Sequence, residues 1–416
     1  MNRPASYRWW ILGVATLSLV VSNGLAIGGL PPFYRPMREE FLALGVIDRA
    51  AAETFVADGA NITFLMSGLF SLVGGWLVTR FRLRPMMVAG CLVLGCGTLL
   101  LAFSRSAAEF YMARFLMGAS LGFIGVAPCI VLVTQWFNHR RGLALGVLLT
   151  GTSIGGAVIP LIAAPLIGNY GWRTALIAVS SLIWIVLLSL IILVVREYAL
   201  ANSDASPDTG LNEGVSLSDA LRSPVFWAIA ACGATCFYPI FATTQQFILY
   251  LQTPRIGISA ESAALAQSLL FTVGIGGRSL AGYLSDKLGS AIVMACFAGL
   301  MFAASLVLLD LNAGNALIFL LPFALGYGGT FVLLQRTTVD TFGRRSAAKI
   351  LGVLTMIEVI GAAFGGRVTG YLADRNSGDY QTAFYGVTAA SACAFAAAVV
   401  VFLLLNSKRP STSESH

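Results

Sequence analysis

The chain has 416 residues, of which 57% are hydrophobic and only 11% charged, and its formal net charge is +7. With a mean hydropathy of +0.82, a water-soluble fold of this length has no means of burying so much apolar surface. Lipid is therefore the solvent for most of it, and the positive charge reads as membrane topology rather than nucleic-acid binding.

A bilayer crossing takes ~20 apolar residues, and twelve stretches qualify. The first six are 9–31, 60–79, 86–103, 110–135, 143–167 and 175–195. The first is too long for a secretory signal and no small-residue cleavage site follows it, so it is expected to stay as a helix. It ends in Gly28-Gly29-Leu30-Pro31-Pro32, glycines and prolines that loosen a helix where it borders a cavity. Residues 196–222 are rich in Ser, Asp, Asn, Gly and Glu and read as a cytoplasmic linker. The other six stretches follow at 225–250, 263–284, 291–309, 316–339, 347–372 and 382–405. The expected fold is an all-α integral membrane protein of twelve transmembrane helices in two pseudo-symmetric halves. These are an N-terminal six-helix half at 1–195 and a C-terminal six-helix half at 223–416.

Lys and Arg fix the orientation. With the N-terminus inside, 15 of the 26 fall in cytoplasmic segments, counting Lys349 at the cytoplasmic edge of the eleventh stretch, and 7 in external ones; Arg114, Arg278, Arg336 and Arg367 lie within spans. Both termini are thus expected in the cytoplasm, in a multi-pass protein of the cytoplasmic (inner) membrane. All seven cysteines fall in apolar spans, which disfavours a disulfide framework. Cys232 and Cys236 share a helix face, but with two histidines in the chain they read as packing residues rather than zinc ligands. No metal or other cofactor is expected.

Three loops recur in matching places. Gly75-Trp76-Leu77-Val78-Thr79-Arg80 after the second stretch answers Gly282-Tyr283-Leu284-Ser285-Asp286-Lys287 after the eighth, at an offset of 207. Phe137 with Arg140-Arg141 and Gly146 answers Phe342 with Arg344-Arg345 and Gly352, at offsets of 204 to 206. Gly171-Trp172-Arg173-Thr174-Ala175 answers Asp379-Tyr380-Gln381-Thr382-Ala383 at 208. Three echoes at nearly one offset indicate a duplicated six-helix unit, the architecture of alternating access. Here the sequence resembles the major facilitator superfamily, whose signature in these loops is Gly, three residues, Asp and a basic residue. Gly282, Asp286 and Lys287 match it; Thr79 replaces the Asp in the first copy. The resemblance implies a gating role for Gly75, Arg80, Gly282, Asp286 and Lys287, with Asp286 accepting from a neighbouring helix N-terminus and the glycines allowing close helix approach. Arg114, Gly118 and Gly122 resemble the superfamily's motif in the fourth span. For Arg114, snorkelling to the outer interface stands beside substrate contact.

Arg278 is isolated in the apolar eighth stretch, where a charge costs ~3 kcal/mol on insertion scales and usually serves a substrate or a partner. Its planar, permanently charged fork suits a carboxylate. The stretch from Gly277-Arg278-Ser279 to Leu351-Gly352-Val353 and Glu358 resembles the monocarboxylate transporters and the oxalate:formate exchangers. In that family an Arg of the eighth span binds the substrate carboxylate, and Arg278 occupies its place. The resemblance implies a small organic anion substrate, with one buried cation suiting a monocarboxylate. Gly274 and Gly28 stand where proton-coupled relatives carry Asp and Lys, and Glu358 where oxalate:formate exchangers carry Lys. Glu358, a carboxyl group whose charged form is costly in lipid, is the candidate carrier of a coupling proton; a structural ion pair with Arg278 is the alternative. Tyr238, Gln245, Gln246 and Tyr327 are further candidates for substrate contact, and Asn61 for interhelical hydrogen bonding. The partners expected are an organic anion, a proton or counter-anion and the bilayer, with no nucleic acid and a functional monomer.

The chain contains neither a phosphate-cradling Gly-Lys pair nor a zinc-binding His-Glu-x-x-His helix, so an enzyme is not expected. A drug exporter on the same fold is the stronger rival, although the Gly151 to Pro160 run lacks the exporters' Gly-Pro pair; a membrane sensor is the distant one. Substrate identity, direction of transport and coupling mode stay open at this point.

Overall fold

The computed structural model describes residues 7–77, 81–137, 141–196, 215–343 and 347–407. In lipid each backbone N–H and C=O has to be satisfied within its own segment, so long apolar runs become helices. The order is α1 (Tyr7–Asn23) with a π-helical turn (Gly24–Gly28), then α2 (Pro31–Ala43), α3 (Ala52–Leu77), α4 (Leu83–Phe103), α5 (Ala107–Ile124), α6 (Val126–Trp136) and α7 (Arg141–Tyr170). Next come α8 (Trp172–Ser181), a second π-helical turn (Leu182–Leu187), α9 (Leu188–Val194) and α10 (Leu217–Arg222). The chain continues through α11 (Pro224–Leu251), α12 (Ala260–Leu288), α13 (Ser290–Ser305), α14 (Ala316–Phe342), α15 (Ala347–Arg375) and α16 (Gln381–Asn406).

Taking α5 with α6 and α8 with α9 as single interrupted crossings, and setting aside the short α2 and α10, twelve transmembrane helices stand among the described residues. Nine stretches are long and apolar enough to cross a membrane, one of them, Gly146–Val194, running through two consecutive helices. α3 and α12 complete the set; Gln267 and Arg278 dilute the apolar run of α12.

The fourth predicted stretch is one run, but the structure divides it at Gly125. Pro128 has no N–H with which to reach the Ile124 carbonyl, so the helical ladder fails there; the Cys129 thiol donates to that carbonyl instead, at 3.4 Å. The loosening expected at Gly28 to Pro32 begins earlier, as the π-helical turn of Gly24–Gly28, with Gly29 N–H donating to Gly24 O at 2.7 Å. Pro31 and Pro32 then open α2, their fixed φ suiting a first helical turn.

The chain folds as two compact units, which do not coincide with the two sequence halves. Unit 1 comprises Met1–Ser203, Thr243–Thr272 and Gly366–Ala383, and unit 2 comprises Asp204–Ala242, Val273–Gly365 and Phe384–His416. Within unit 1, α3 packs on α5 with backbones nearly touching: a Cβ on Gly118 would lie 2.9 Å from Thr63 Cα, and one on Gly122 would strike the Phe70 carbonyl. In unit 2, α12 and α14 approach as closely, because a Cβ on Gly328 would lie 2.9 Å from Gly274 Cα. Small residues at such crossings let van der Waals contact replace the hydrophobic drive that lipid removes.

Candidate functional site

The α12–α14 crossing sets the position of Arg278. The ring of Tyr327 lies over Gly274, one helical turn before Arg278, so that a Cβ on Gly274 would come 3.1 Å from Tyr327 Cε1. Arg278 is half-buried, and its Nη2 donates to the Tyr327 hydroxyl at 3.3 Å. Its guanidinium carbon lies 5.2 Å from the Phe331 ring centroid and 5.9 Å from that of Tyr327. Two aromatic rings on one helix thus present a planar cation held by the next, a geometry that keeps the fork oriented while leaving it polar. A side chain at Gly274 would press on the Tyr327 ring, which would have to give by a few tenths of an ångström.

Glu358, on α15, is 2% exposed. Gln335 Nε2, from α14, donates to both of its carboxylate oxygens at 3.2 Å, and Gly233 of α11 faces its Cγ. The amide is therefore a defined partner of Glu358, a group the sequence reading did not name. Tyr238, also in unit 2, turns its hydroxyl towards α16, 3.3 Å from where a Cβ on Gly386 would be. A cavity of about 510 Å³ between the ends of α10, α13, α14 and α16 is lined by residues such as Asp219, Ser290 and Asp340, and Arg278 and Glu358 do not line it.

Gln245 and Gln246 belong to unit 1. Gln245 Oε1 accepts from the Tyr34 hydroxyl at 2.8 Å, and its Nε2 donates to Ile27 O at 3.3 Å. Gln246 Nε2 donates to Gly366 O at 2.7 Å. Arg114 joins the first of these groups, with Nη2 3.4 Å from the Tyr34 hydroxyl and Nε donating to Gly59 O at 3.0 Å. At 1% exposure its guanidinium is enclosed in protein, so the alternative of snorkelling to the interface is set aside. The cause is the α3–α5 approach, which brings the Gly59 carbonyl within reach of the side chain. Gly118 and Gly122 lie at this approach, where a Cβ on either would strike α3. Asn61 is buried on α3, and its Oδ1 has no hydrogen-bond partner among the described residues.

The gating motif differs in detail from expectation. Asp286 pairs with the side chain of Arg336 on α14, Nη2 to Oδ1 at 2.6 Å, rather than with a helix N-terminus; Arg336 also reaches Asp340 at 3.6 Å. A Cβ on Gly282 would meet open space, so the close helix approach expected at that glycine is not made. Lys287 donates to the Tyr283 hydroxyl at 2.5 Å, with its ammonium 4.4 Å from the ring centroid. Gly75 lies within α3, though its surroundings are outside what the structure describes, and Arg80 lies outside the described residues.

A polar network in unit 1 went unread in the sequence. Asp374 accepts from the backbone N–H groups of Glu53 and Thr54, both at 2.8 Å, and Arg367 pairs with Asp58 at 3.1 Å. The Tyr380 hydroxyl, held protonated by burial, donates to Glu53 Oε2 at 2.6 Å, and Arg38 pairs with the same carboxylate. In the repeat-related loop, Trp172 Nε1 donates to Glu40 Oε2 at 2.6 Å and Arg173 binds Glu40 Oε1. Residues at corresponding places in the two copies thus both anchor a glutamate.

Residues 16–366 match the Major Facilitator Superfamily. Among curated proteins, "Agnestins efflux protein AgnL12" of Paecilomyces divaricatus is 24% identical over 355 residues, 79% of this chain and 78% of that one. "Monocarboxylate transporter 13" of Rattus norvegicus is 25% identical over 390 residues, 92% and 86%, and "Oxalate:formate antiporter" of Oxalobacter formigenes is 25% identical over 404 residues, 95% and 91%. Among solved structures, a bacterial homologue of the human lysosomal transporter Spinster, inward-facing and occupied, superposes with a TM-score of 0.77 at 17% identity, covering 98% of both chains.

Proposed function

Given that this chain belongs to the major facilitator superfamily, and so is a transporter with that family's fold, we propose that it carries a small organic anion, a monocarboxylate, across the cytoplasmic membrane by alternating access. The halves that rock are 1–195 and 223–416, joined by the cytoplasmic linker 196–222, with both termini in the cytoplasm. The observation that carries the substrate class is Arg278: a permanent cation on a membrane helix, steadied by Tyr327 and flanked by Phe331. Its planar fork accepts a carboxylate through two parallel hydrogen bonds. Two relatives, a monocarboxylate transporter and an oxalate:formate antiporter, support the same class.

Coupling is assigned to Glu358. Its carboxyl is buried, and its partner is a neutral amide, so it gains or loses a proton without breaking an ion pair. The competing mode is anion exchange, in which substrate neutralises Arg278 at each crossing. Export rather than import is the second reading, favoured by the relative named as an efflux protein.

A thermal-shift screen of the purified protein against organic anions and cations tests the substrate class, because a ligand that binds the native state raises its apparent stability. Short monocarboxylates should stabilise the wild type and leave Arg278→Ala unmoved. Stabilisation by cations alone, or equal anion shifts in both proteins, would contradict it.

A further inference from the structure

Arg114 is a second cation enclosed in the membrane part of the chain, and its surroundings are those of an incomplete anion site. It is 1% exposed. Of its three nitrogens, Nε donates to Gly59 O at 3.0 Å and Nη2 to the Tyr34 hydroxyl at 3.4 Å. Nη1 is buried and has no hydrogen-bond partner among the described residues. Among the described residues no Asp or Glu pairs with it. The acids of α3 are engaged elsewhere, Glu53 with Arg38 and Asp58 with Arg367.

An arginine that serves only to tie helices together uses its donors on carbonyls and is balanced by an acid, because an enclosed charge without a counter-charge is costly. Among the described residues, Arg114 has one such carbonyl, an idle nitrogen and no acid. The atom nearest to a counter-ion is neutral: the Tyr34 hydroxyl, 3.4 Å from Nη2, donates onward to Gln245 Oε1 at 2.8 Å. Gln245 is held on its other side by a longer contact of 3.3 Å to Ile27 O. A carboxylate taking the place of that amide oxygen would accept from the Tyr34 hydroxyl and from the idle edge of Arg114, and would supply the missing negative charge.

We infer that Arg114, Tyr34 and Gln245 form a second anion-binding site within unit 1, taking the carboxylate group of a small organic acid. The choice of a carboxylate rests on the substrate class proposed for Arg278, while the existence of the site rests on the geometry around Arg114. Gln245 is the displaceable occupant, Tyr34 the neutral donor and Arg114 the charge.

The test is binding of formate, lactate and oxalate to the purified full-length chain by calorimetry, in wild type, Arg114→Gln, Tyr34→Phe, Arg278→Ala and the Arg114→Gln/Arg278→Ala double variant. Ligand-free melting is measured alongside. Arg114→Gln is expected to weaken at least one of the three acids tenfold or more without lowering the ligand-free melting temperature, since it removes an uncompensated charge; Tyr34→Phe should weaken the same acid by a few-fold. Residual binding in Arg278→Ala should vanish in the double variant. Affinities unchanged in both Arg114→Gln and Tyr34→Phe, with Arg278→Ala abolishing binding, would overturn this site and leave the Arg278 reading standing. Loss confined to the Arg114 and Tyr34 variants would support this site and refute that reading. No binding of any acid to wild type overturns both. Where Arg114→Gln fails to fold, Tyr34→Phe and Arg114→Lys decide: wild-type affinities in both would overturn the site.

Discussion

Replacing Gly328 by Ala should separate α12 from α14 and disorganise Arg278 without touching it. A Cβ at Gly328 would lie 2.9 Å from Gly274 Cα and closer still to the Gly274 carbonyl oxygen. Ordinary contact begins at about 3.4 Å, and both obstacles are backbone, so the helices have to part by on the order of 1 Å in a core that transmits strain. The hydrogen bond from Arg278 to Tyr327 is already 3.3 Å long, and a further ångström takes it beyond hydrogen-bonding range. Overpacking of this kind costs about 1–3 kcal/mol. Gly276→Ala on the facing helix, α12, is the control, because a Cβ there meets nothing within 4 Å, and Ala is about 1 kcal/mol better than Gly inside a helix. Thermal unfolding in detergent, with uptake into proteoliposomes, should show Gly328→Ala destabilised and slow. Gly276→Ala should be at least as stable as wild type and fully active. Equal effects from the two substitutions would refute the claim that backbone contact at Gly328 positions the site.

An imposed pH gradient should drive accumulation in wild type and not in Glu358→Gln, with counterflow of labelled substrate surviving the substitution; counterflow without any response of wild type to the gradient would assign exchange instead. Asp286→Asn and Arg336→Ala should show a coupling of only about 0.2–1 kcal/mol in a double-mutant thermal cycle, since the pair is largely exposed, and coupling well above that would indicate a buried latch. Tyr380→Phe removes a hydrogen bond to the Glu53 carboxylate, worth about 1.5–3 kcal/mol for a charged acceptor, and should lower the melting temperature; an unchanged value would show the contact to be idle. Burial works to raise the Glu40 carboxyl, but the hydrogen bonds from Arg173 and Trp172 outweigh it and hold it below its ordinary value of 4.5. Its stabilisation is therefore present above the unfolded pKa and lost as pH falls through the folded one. Glu40→Gln should flatten the acid limb of the stability profile below about pH 4.5, and an unaltered limb would place the acid sensitivity elsewhere.

Where a side chain breaks a local pattern, the sequence exposes it. Arg278 and Glu358 stand out because a charge interrupts an apolar run, and the same signal was present at Arg336. What spacing does not reveal is the partner: Asp286 is 50 residues from Arg336, and Gln335 reaches Glu358 from a different helix. The break at Gly125 was legible in principle from Pro128, had the missing N–H been traced to the Ile124 carbonyl. The network of Glu53, Asp374 and Tyr380 joins groups more than 300 residues apart in the chain, and each taken alone is an ordinary polar residue near a helix end. Gln245 and Gln246 stand out in the same way, as polar residues in an apolar stretch. Their hydrogen-bond partners, Tyr34 and Gly366, lie more than 100 residues away in the chain, which spacing does not reveal.

The most direct test of the central claim is uptake of labelled short monocarboxylates into proteoliposomes by wild type, Arg278→Lys and Arg278→Ala at matched reconstitution. Lysine keeps the charge but loses the planar fork. If Arg278 grips a carboxylate, uptake falls sharply in Arg278→Lys and is absent in Arg278→Ala, with both proteins folded by their melting curves. Transport of organic anions by Arg278→Ala at the wild-type rate would contradict it.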